Sequence, residues 1–395
     1  MQSPNQDKSL HEESGSEVNR RVLIVGAGVI GCNLAYELTK RGAAVTVIDA
    51  AEVASATSSA TFAWVNAYNK TPAEYNKLNV LGLEAHERAS RTFGSESHWF
   101  HQIGNIHIAQ TPEEMAALKR KAEHLVSTGY RASVLKAGDV LELEPALDPE
   151  RISGGVLFPH EGWIDTFMMC SSLLHAAREA GAVFLSYETV TSISSTGITT
   201  KRPDGSTRQH EADVTILAAG NGNRPILATA DITFPTVDSA RRHDTTSAGR
   251  PSVGLISTTG PVDSGIRHIV QGKDIALRPD RNGGVTFTDS PTGGQWGLQD
   301  PRIWSVPNLL LERAKRLYPS LAEATTETVR LGTRVLPEDG LTIADWIGGS
   351  RSIYAVATHS GVTLSAHLGN VVAEEVLGGQ RHPSLDSFGL SRFAS

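Results

Sequence analysis

The first apolar run of the chain lies at residues 22–25, after a polar N-terminal segment. This run is short, β-branched and uninterrupted, which is typical of a strand buried in a parallel sheet. Apolar residues then recur at helical spacing over 31–38, Gly42 is placed to end a helix, and a second apolar run lies at 44–48. The pattern predicts a strand, a helix and a second strand at the start of the fold.

A similar pattern recurs further along the chain. Asp165 is placed to cap a helix and Gly181 to end it, before an apolar run at 182–185. The face of this helix that is directed to the core is predicted to carry Phe167, Cys170, Leu173, Leu174 and Ala177. A hairpin turn at 203–205 and a buried strand at 214–217 follow.

The alternation of strand and helix is lost between residues 234 and 329, where Gly- and Pro-rich turns separate short strand candidates at 275–277 and 285–288. Together with an amphipathic helix predicted at 113–126, this region is expected to form a mostly antiparallel domain. At the C-terminus, a strand at 353–357 and a helix that ends on two glycines restore the first pattern.

The turn between the first strand and the first helix carries the motif GxGxxG, formed by Gly26, Gly28 and Gly31, with Ile30 before the last glycine. Gly26 permits a tight turn, Gly28 lets a pyrophosphate approach the backbone, and Gly31 lets the helix pack closely on the sheet. Asp49 ends the second strand 21 positions after Gly28, where a carboxylate can accept hydrogen bonds from ribose hydroxyls. The context predicts a dinucleotide site, and a glycine-rich turn without a ligand is the alternative.

These patterns predict an α/β fold in a two-domain α+β arrangement, in which a mostly antiparallel substrate domain is inserted into a Rossmann-like nucleotide-binding domain. The predicted boundaries are 1–18 for a disordered tail, 19–98, 152–230 and 331–395 for the nucleotide-binding domain, and 99–151 and 231–330 for the substrate domain.

Composition and charge narrow the functional classes. The chain of 395 residues has 36 basic and 43 acidic side chains, and its net charge of -7 argues against nucleic acid or an anionic membrane surface as a partner. No apolar run reaches the roughly 18 residues of a membrane span, and no signal peptide is evident. Cys32 and Cys170 lie far apart in sequence and form no metal-ligand spacing, so neither a disulfide framework nor a metal site is predicted. The cytoplasm is the expected compartment.

Five segments, taken in order, resemble the D-amino acid oxidase family of flavoproteins, which includes glycine oxidase, sarcosine oxidase and D-amino acid dehydrogenase. They are VLIVGAGVIGCNLAYELTKRG with VTVIDA, GWIDTFMMCSSLLHAAREAGA, ADVTILAAGNG, RVLPEDGLTIADWIG and IYAVATHSGVTLSAHLGNVVAEEVLGG. The resemblance covers nearly the whole chain, from Arg21 to Gly379.

The resemblance implies that the nucleotide-binding domain holds extended FAD, bound noncovalently because neither cysteine lies in the C-terminal region. Besides the glycine motif and Asp49, the positions that it implies for contact with FAD are Ser58, Ser59, Val190, Ala219, Gly220, Gly361, Val362 and Thr363. The last three open the final helix, whose positive dipole end would face the flavin. Packing alone is the alternative for each of these small residues.

Two side chains are candidates for substrate chemistry. The family places an arginine five positions before the aspartate of the DG stretch, and Arg334 stands five before Asp339. A guanidinium there can bind both oxygens of a substrate carboxylate. Val335 and the absence of a tyrosine at 275–277 depart from relatives and put an α-amino acid substrate in doubt. An ordinary interdomain arginine is the alternative, as a loop histidine is for His359, the second candidate.

The predicted reaction is oxidation of the C–N bond of a small amine or amino acid, with hydride transfer to flavin N5, imine formation and reoxidation by O2 or another acceptor. Three alternatives remain open: an oxidase of a larger secondary amine, a flavin-binding subunit without its own substrate, and an NAD-dependent dehydrogenase. Trp64 and Asn66 are expected on the substrate side of the flavin, with core packing as the alternative, and Lys273 is a further candidate there.

Overall fold

The computed structural model describes residues 20–93, 98–238 and 252–394. The predicted tail at 1–18 lies outside the described residues. The nine α-helices of the described ranges are α1 (Val29–Lys40), α2 (Ala73–Phe93), α3 (Pro112–Ser127), α4 (Ala137–Leu143), α5 (Thr166–Glu179), α6 (Asn223–Ala228), α7 (Ser290–Gly293), α8 (Val306–Leu317) and α9 (Gly361–Gly378).

The strands of the same ranges follow in chain order. They are β1 (Arg21–Val25), β2 (Ala44–Ile48), β3 (Trp64–Val65), β4 (Phe100–His101), β5 (Asn105–Ala109), β6 (Ser133–Lys136), β7 (Gly154–Phe158), β8 (Gly162–Ile164), β9 (Val183–Leu185), β10 (Thr189–Ser194), β11 (Gly197–Lys201), β12 (Thr207–Glu211), β13 (Val214–Leu217), β14 (Val253–Thr259), β15 (Ile269–Gln271), β16 (Ala276–Pro279), β17 (Val285–Thr288), β18 (Thr326–Thr333), β19 (Ile343–Trp346) and β20 (Ile353–Ala357).

The first sheet has six strands in the order β19-β20-β13-β1-β2-β9. All neighbours are parallel except β19, which runs antiparallel to β20. β1 lies centrally, with Val25 opposite Ile48 of β2 and Leu217 of β13. Helices α1, α5 and α9 pack together beside this sheet, and their apolar faces share one core with its strands. The strand–helix–strand predictions are confirmed.

Helix α5 departs from the prediction at one position, because Phe167 is 57% exposed. The buried stripe of the helix consists of Thr166, Met169, Cys170, Leu173, Leu174 and Ala177. At 3.6 residues per turn, Phe167 lies roughly 90° from the centre of that stripe. Placing Phe167 on the core face was therefore wrong, although Asp165 caps the helix as predicted, with Oδ1 accepting a hydrogen bond of 2.9 Å from the Met168 amide.

The second large sheet has eight strands in the order β18-β14-β17-β16-β15-β5-β7-β6, and all its pairs are antiparallel except β15 with β5. Helices α4 and α8 cover its own hydrophobic core. Two sheets and two cores confirm the predicted fold class. The domain boundaries stay a prediction, and we propose that β7 belongs with this sheet although the predicted boundary lies at residue 152.

The two cysteines, which are distant in sequence, meet in the first core. Cys32 of α1 and Cys170 of α5 are fully buried free thiols. A hydrogen bond with the Cys170 thiol and burial together raise the pKa of Cys32 well above its usual value. No cluster of metal-ligating side chains is found within the described ranges. None of the helices in those ranges has both the length and the apolar character of a membrane span.

Candidate functional site

A cleft with a cavity volume of about 550 Å³ lies where the two large sheets face each other. Its walls come from the glycine turn before α1, the loop after β2, the turn after β13, and the first turn of α9. The eight-stranded sheet contributes residues of β14, β16 and β18. Segments that are far apart in sequence therefore converge on a single cavity.

The glycine turn is fixed by contacts that exclude larger side chains. Gly26 has φ +108°, and a Cβ added there would lie 2.5 Å from the carbonyl oxygen of Ala218. A Cβ on Gly31 would lie 1.8 Å from the carbonyl oxygen of Gly26. Gly26, Gly28 and Ile30 line the cleft, whereas Gly31 is buried behind the turn. The backbone at the start of α1 is thus open to a ligand.

Asp49 lines the same end of the cleft. Its Oδ2 accepts a hydrogen bond of 2.7 Å from the Ala27 amide, and its Oδ1 accepts one of 2.9 Å from the Ala51 amide. Each carboxylate oxygen keeps a lone pair for another donor. Asp49 therefore holds the glycine turn in shape and also presents an acceptor, where the sequence predicted contact with a ribose.

The loop after β2 joins this end of the cleft to α1. Ser58 lines the cavity, and its Oγ accepts a hydrogen bond of 3.2 Å from the Val29 amide in the first turn of α1. Ser59 does not line the cavity, and its hydroxyl contacts the carbonyl oxygens of Ser55 and Ala56. Val190, on β10, also lies outside the lining, whereas Ala219 and Gly220 belong to it.

The first turn of α9 forms the other end of the cleft through Gly361, Val362 and Thr363. The Thr363 hydroxyl accepts a hydrogen bond from the Asn66 amide and donates one to the Trp64 carbonyl, both of 3.2 Å. Burial lowers the pKa of His86 to about 4, so the ring is neutral at pH 7 and its Nε2–H donates to the Val362 carbonyl oxygen at 2.8 Å. These contacts fix the helix terminus.

Lys70 is a cleft residue that sequence reasoning missed. It lines the cavity, and its Nζ donates a hydrogen bond of 3.0 Å to Ser360 Oγ, the residue that precedes α9. Tyr75 on α2 donates to the same hydroxyl at 2.8 Å. Lys70 therefore places a cation beside the positive end of the α9 dipole. No motif marks this lysine, because its position depends on the contact between a loop and a helix almost 300 residues apart.

A buried carboxylate behind Trp64 was also missed. Glu161 is 1% exposed and accepts hydrogen bonds from Trp64 Nε1 at 2.9 Å, Asn105 Nδ2 at 2.8 Å and the Tyr130 hydroxyl at 2.6 Å. Burial raises the pKa of Glu161 to about 7, against the effect of these three donors and of Lys70. Trp64 and Asn66 line the cleft. Glu161 thus fixes the orientation of an aromatic wall of the cavity.

Both candidates for substrate chemistry line the cleft. Arg334 is half-buried, and its guanidinium donates to the Val253 carbonyl and, at 3.2 Å, to Ser290 Oγ. A Cβ on Gly254 would lie 3.1 Å from Arg334 Nη2, so the guanidinium packs against bare backbone. His359 is half-buried and lies just before α9, and Lys273 lines the cleft from the opposite sheet.

These features define a two-domain dinucleotide-binding protein whose cleft has helix termini at both ends. The residues fit FAD: a glycine cradle, an acceptor at Asp49, and a second helix terminus beside a cation. The chain matches the model of the DAO family, described as FAD dependent oxidoreductase, over residues 21–375. It therefore belongs to that family and is an FAD-dependent oxidoreductase, which confirms the predicted family, enzyme class and cofactor.

Individual relatives agree with this assignment. The B subunit of opine oxidase from Agrobacterium tumefaciens (strain Ach5) is 25% identical over 384 residues, which cover 94% of this chain and 96% of that protein. Glycine oxidase of Geobacillus kaustophilus (strain HTA426) is 26% identical over 387 residues, with 94% and 96% covered. The crystal structure of glycine oxidase from Geobacillus kaustophilus matches with a TM-score of 0.80 at 23% identity, covering 94% of this chain and 99% of that chain, and shows the shared fold.

Proposed function

We propose that this enzyme oxidises the C–N bond of an amine or amino acid, with FAD bound noncovalently along the cleft. One observation carries the proposal: the glycine turn, the first turn of α9 and Arg334 line one cavity. The similarity to glycine oxidase and to the opine oxidase chain supports a substrate with an oxidisable C–N bond. When bound, FAD supplies a two-electron acceptor for a hydride from the α-carbon.

Arg334 is the proposed anchor for the substrate. Its guanidinium is positioned by the Val253 carbonyl and Ser290, and it can still present N–H groups to both oxygens of a carboxylate. Such a contact fixes the α-carbon, which is most of what hydride transfer requires of the protein. His359, on the same wall as the start of α9, is the proposed group for proton exchange with the substrate amine.

The first turn of α9 is the proposed electrostatic element. Its backbone amides and the ammonium of Lys70 favour negative charge that develops at this end of the cleft when two electrons arrive. The amine, having lost a hydride and a proton, leaves as an imine, which water hydrolyses to a carbonyl compound and a free amine. Either O2 or another acceptor then removes the two electrons.

The proposal is tested by anaerobic titration of the purified protein with sarcosine, glycine and D-amino acids. We expect the Arg334→Ala variant to bind carboxylate-bearing amines about 30-fold or more weakly, since removal of one partner of an enclosed charge pair costs about 2 kcal/mol or more. Arg302→Ala is the matched control, because Arg302 is largely exposed and lies outside the cleft lining. Equal affinity of Arg334→Ala and wild type would remove Arg334 from the site.

A second candidate is a flavin-binding subunit that passes electrons to a partner chain. The similarity to a protein named as a subunit favours it. Reduced enzyme mixed with air distinguishes the two: rapid formation of one H2O2 per substrate supports an oxidase. Slow reoxidation by air together with a copurifying second chain supports the electron-transfer role.

A further inference from the structure

A second pocket, with a volume of about 480 Å³, adjoins the cleft. It is lined by β5 and α3 of the substrate-side sheet, through His107, Leu118 and Lys121, and by Tyr68. We propose that this pocket, here called the distal pocket, binds a carboxylate at the far end of a substituent on the amine substrate. This inference rests on the proposed function and narrows its substrate to amines that carry an extended acidic substituent.

The distal pocket and the cleft are contiguous. Gln271, Gly272 and Lys273 contribute to the walls of both cavities. Asn69 lines the cleft, and its Oδ1 accepts a hydrogen bond of 3.0 Å from Lys121 Nζ in the distal pocket. A molecule anchored in the cleft can therefore extend past these residues without leaving the protein surface.

Lys121 provides the charge for an anionic group. Its Nζ lies 3.9 Å from the centre of the Tyr68 ring and hydrogen-bonds to Asn69. Among the described residues, no carboxylate forms an ion pair with this ammonium. Burial lowers the pKa of Lys121, which means that the charge is partly desolvated and gains more from a partner. Glu114, the acidic residue of the pocket, lies 3.9 Å from Lys273 and hydrogen-bonds to the Gln110 amide.

The rest of the wall suits a hydrocarbon linker. Ile108, Leu118 and the Tyr68 ring are apolar surfaces of the pocket. His107 is buried, and burial lowers its pKa to about 3, so the ring is neutral at pH 7. Its Nε2 has no hydrogen-bond partner among the described residues, which leaves a polar atom in the wall that the protein does not use. An acidic head on a methylene chain matches this combination.

The test compares N-alkyl glycines with N-(ω-carboxyalkyl) glycines of matched chain length, using the FAD-loaded enzyme. We expect wild type to favour the carboxylate-bearing members at the length that reaches Lys121. The Lys121→Met variant should lose about 10-fold in kcat/KM for those members and remain within about 2-fold for the N-alkyl members, since 10-fold corresponds to about 1.4 kcal/mol. Lys121→Arg should restore most of the preference.

Lys119→Met is the matched control, because Lys119 lies on the same helix, is 60% exposed and pairs with Glu123 outside the pocket. A kcat/KM series that does not distinguish Lys121→Met from Lys119→Met would overturn the inference. Leu118→Phe provides a second variant, since a larger ring at this pocket position should exclude long substituents and spare sarcosine.

Dicarboxylate thioethers, in which sulfur replaces the amine, separate this inference from the proposed function. They lack an oxidisable C–N bond, and their binding is measured by the change in the absorbance of the bound flavin. Binding that weakens in Lys121→Met while no amine reduces the flavin would support the distal pocket and overturn the proposed reaction. Equal binding to wild type and Lys121→Met would overturn the distal pocket even if amines are oxidised.

Discussion

At the scale of single residues, the molecule invests buried polar groups in the walls of its cleft. Glu161 is the most enclosed of these, with three donors around a carboxylate that is almost fully removed from water. An ionised carboxylate in such a site depends on its donors to offset desolvation. The balance between the two effects makes the charge of Glu161 sensitive to pH near neutrality.

A pH-dependent stability is the first prediction. The pKa of Glu161 is raised from 4.5 to about 7 in the folded protein, so the folded state holds this proton over that interval while the unfolded chain has released it. The stabilisation is full below pH 4.5 and is lost as pH rises through 7. Because each pH unit corresponds to about 1.4 kcal/mol, the loss is about 3 kcal/mol.

Urea unfolding of wild type and Glu161→Gln across pH 4.5 to 8 measures this effect. Glutamine does not titrate, so the difference in the free energy of unfolding between wild type and variant should change in favour of the variant as pH rises. Glu123→Gln, an exposed change on α3, is the control. A difference that is the same at every pH would refute the assignment.

At the scale of elements, the N-terminus of α9 is held from several sides. Lys70 and Tyr75 contact Ser360, Thr363 is bonded to Trp64 and Asn66, and His86 donates to the Val362 carbonyl. The backbone of Gly82 approaches so closely that a Cβ there would lie 2.5 Å from the Thr363 carbonyl oxygen. The helix end is therefore preorganised rather than formed by its ligand.

A change at Lys70 is the second prediction for this element. Lys70→Met removes a cation from the end of the cleft where we place the flavin ring, so the two-electron reduction potential of bound FAD should fall. A lost interaction of about 1.4 kcal/mol corresponds to about 30 mV. Potentials are measured against a reference dye, with the exposed Lys77→Met of α2 as control. An unchanged potential in Lys70→Met would place this lysine away from the flavin.

Regular elements could be predicted from the sequence because their apolar residues repeat with the period of a strand or a helix. The glycine turn, Asp49 and the start of α9 follow from such local patterns, and all of them line the cleft. The strands of two or three residues, β3, β4 and β8, carry no period of their own. Phe167 shows a further limit, since helical spacing gives a stripe but does not give its edge.

Side chains whose role depends on distant partners could not be predicted in this way. Lys70 is defined by Ser360, and Glu161 by Trp64, which is 97 positions away. Ser59 and Val190 were proposed by position in the family, and the structure places both outside the cleft lining. Nothing local to their segments distinguishes them from Ser58, which lines the cavity.

At the scale of the whole molecule, the cleft connects two hydrophobic cores. One core combines the six-stranded sheet with α1, α5 and α9, and the other lies under the eight-stranded sheet. A ligand that binds only the folded protein stabilises it by mass action. Bound FAD touches walls from both sheets, so it should couple their unfolding.

Removal of FAD is therefore expected to lower thermal stability. At a free FAD concentration 100 times its Kd, the stabilisation is about 2.7 kcal/mol. We expect the apoprotein to melt several degrees below the holoprotein, and to recover when FAD is added back. Differential scanning calorimetry measures this, with adenosine alone as a control that occupies only part of the cleft. Identical Tm values with and without FAD would contradict binding to the folded cleft.

Anaerobic bleaching of the bound flavin by substrate is the decisive measurement for an enzyme that oxidises amines. The purified FAD-loaded enzyme is mixed without oxygen with sarcosine and with N-substituted amino acids, and the long-wavelength flavin absorbance is followed. We predict complete bleaching by at least one of these amines, at a rate that slows when the α-hydrogens are replaced by deuterium. A flavin that dithionite bleaches but that none of the amines reduces would contradict the proposed reaction.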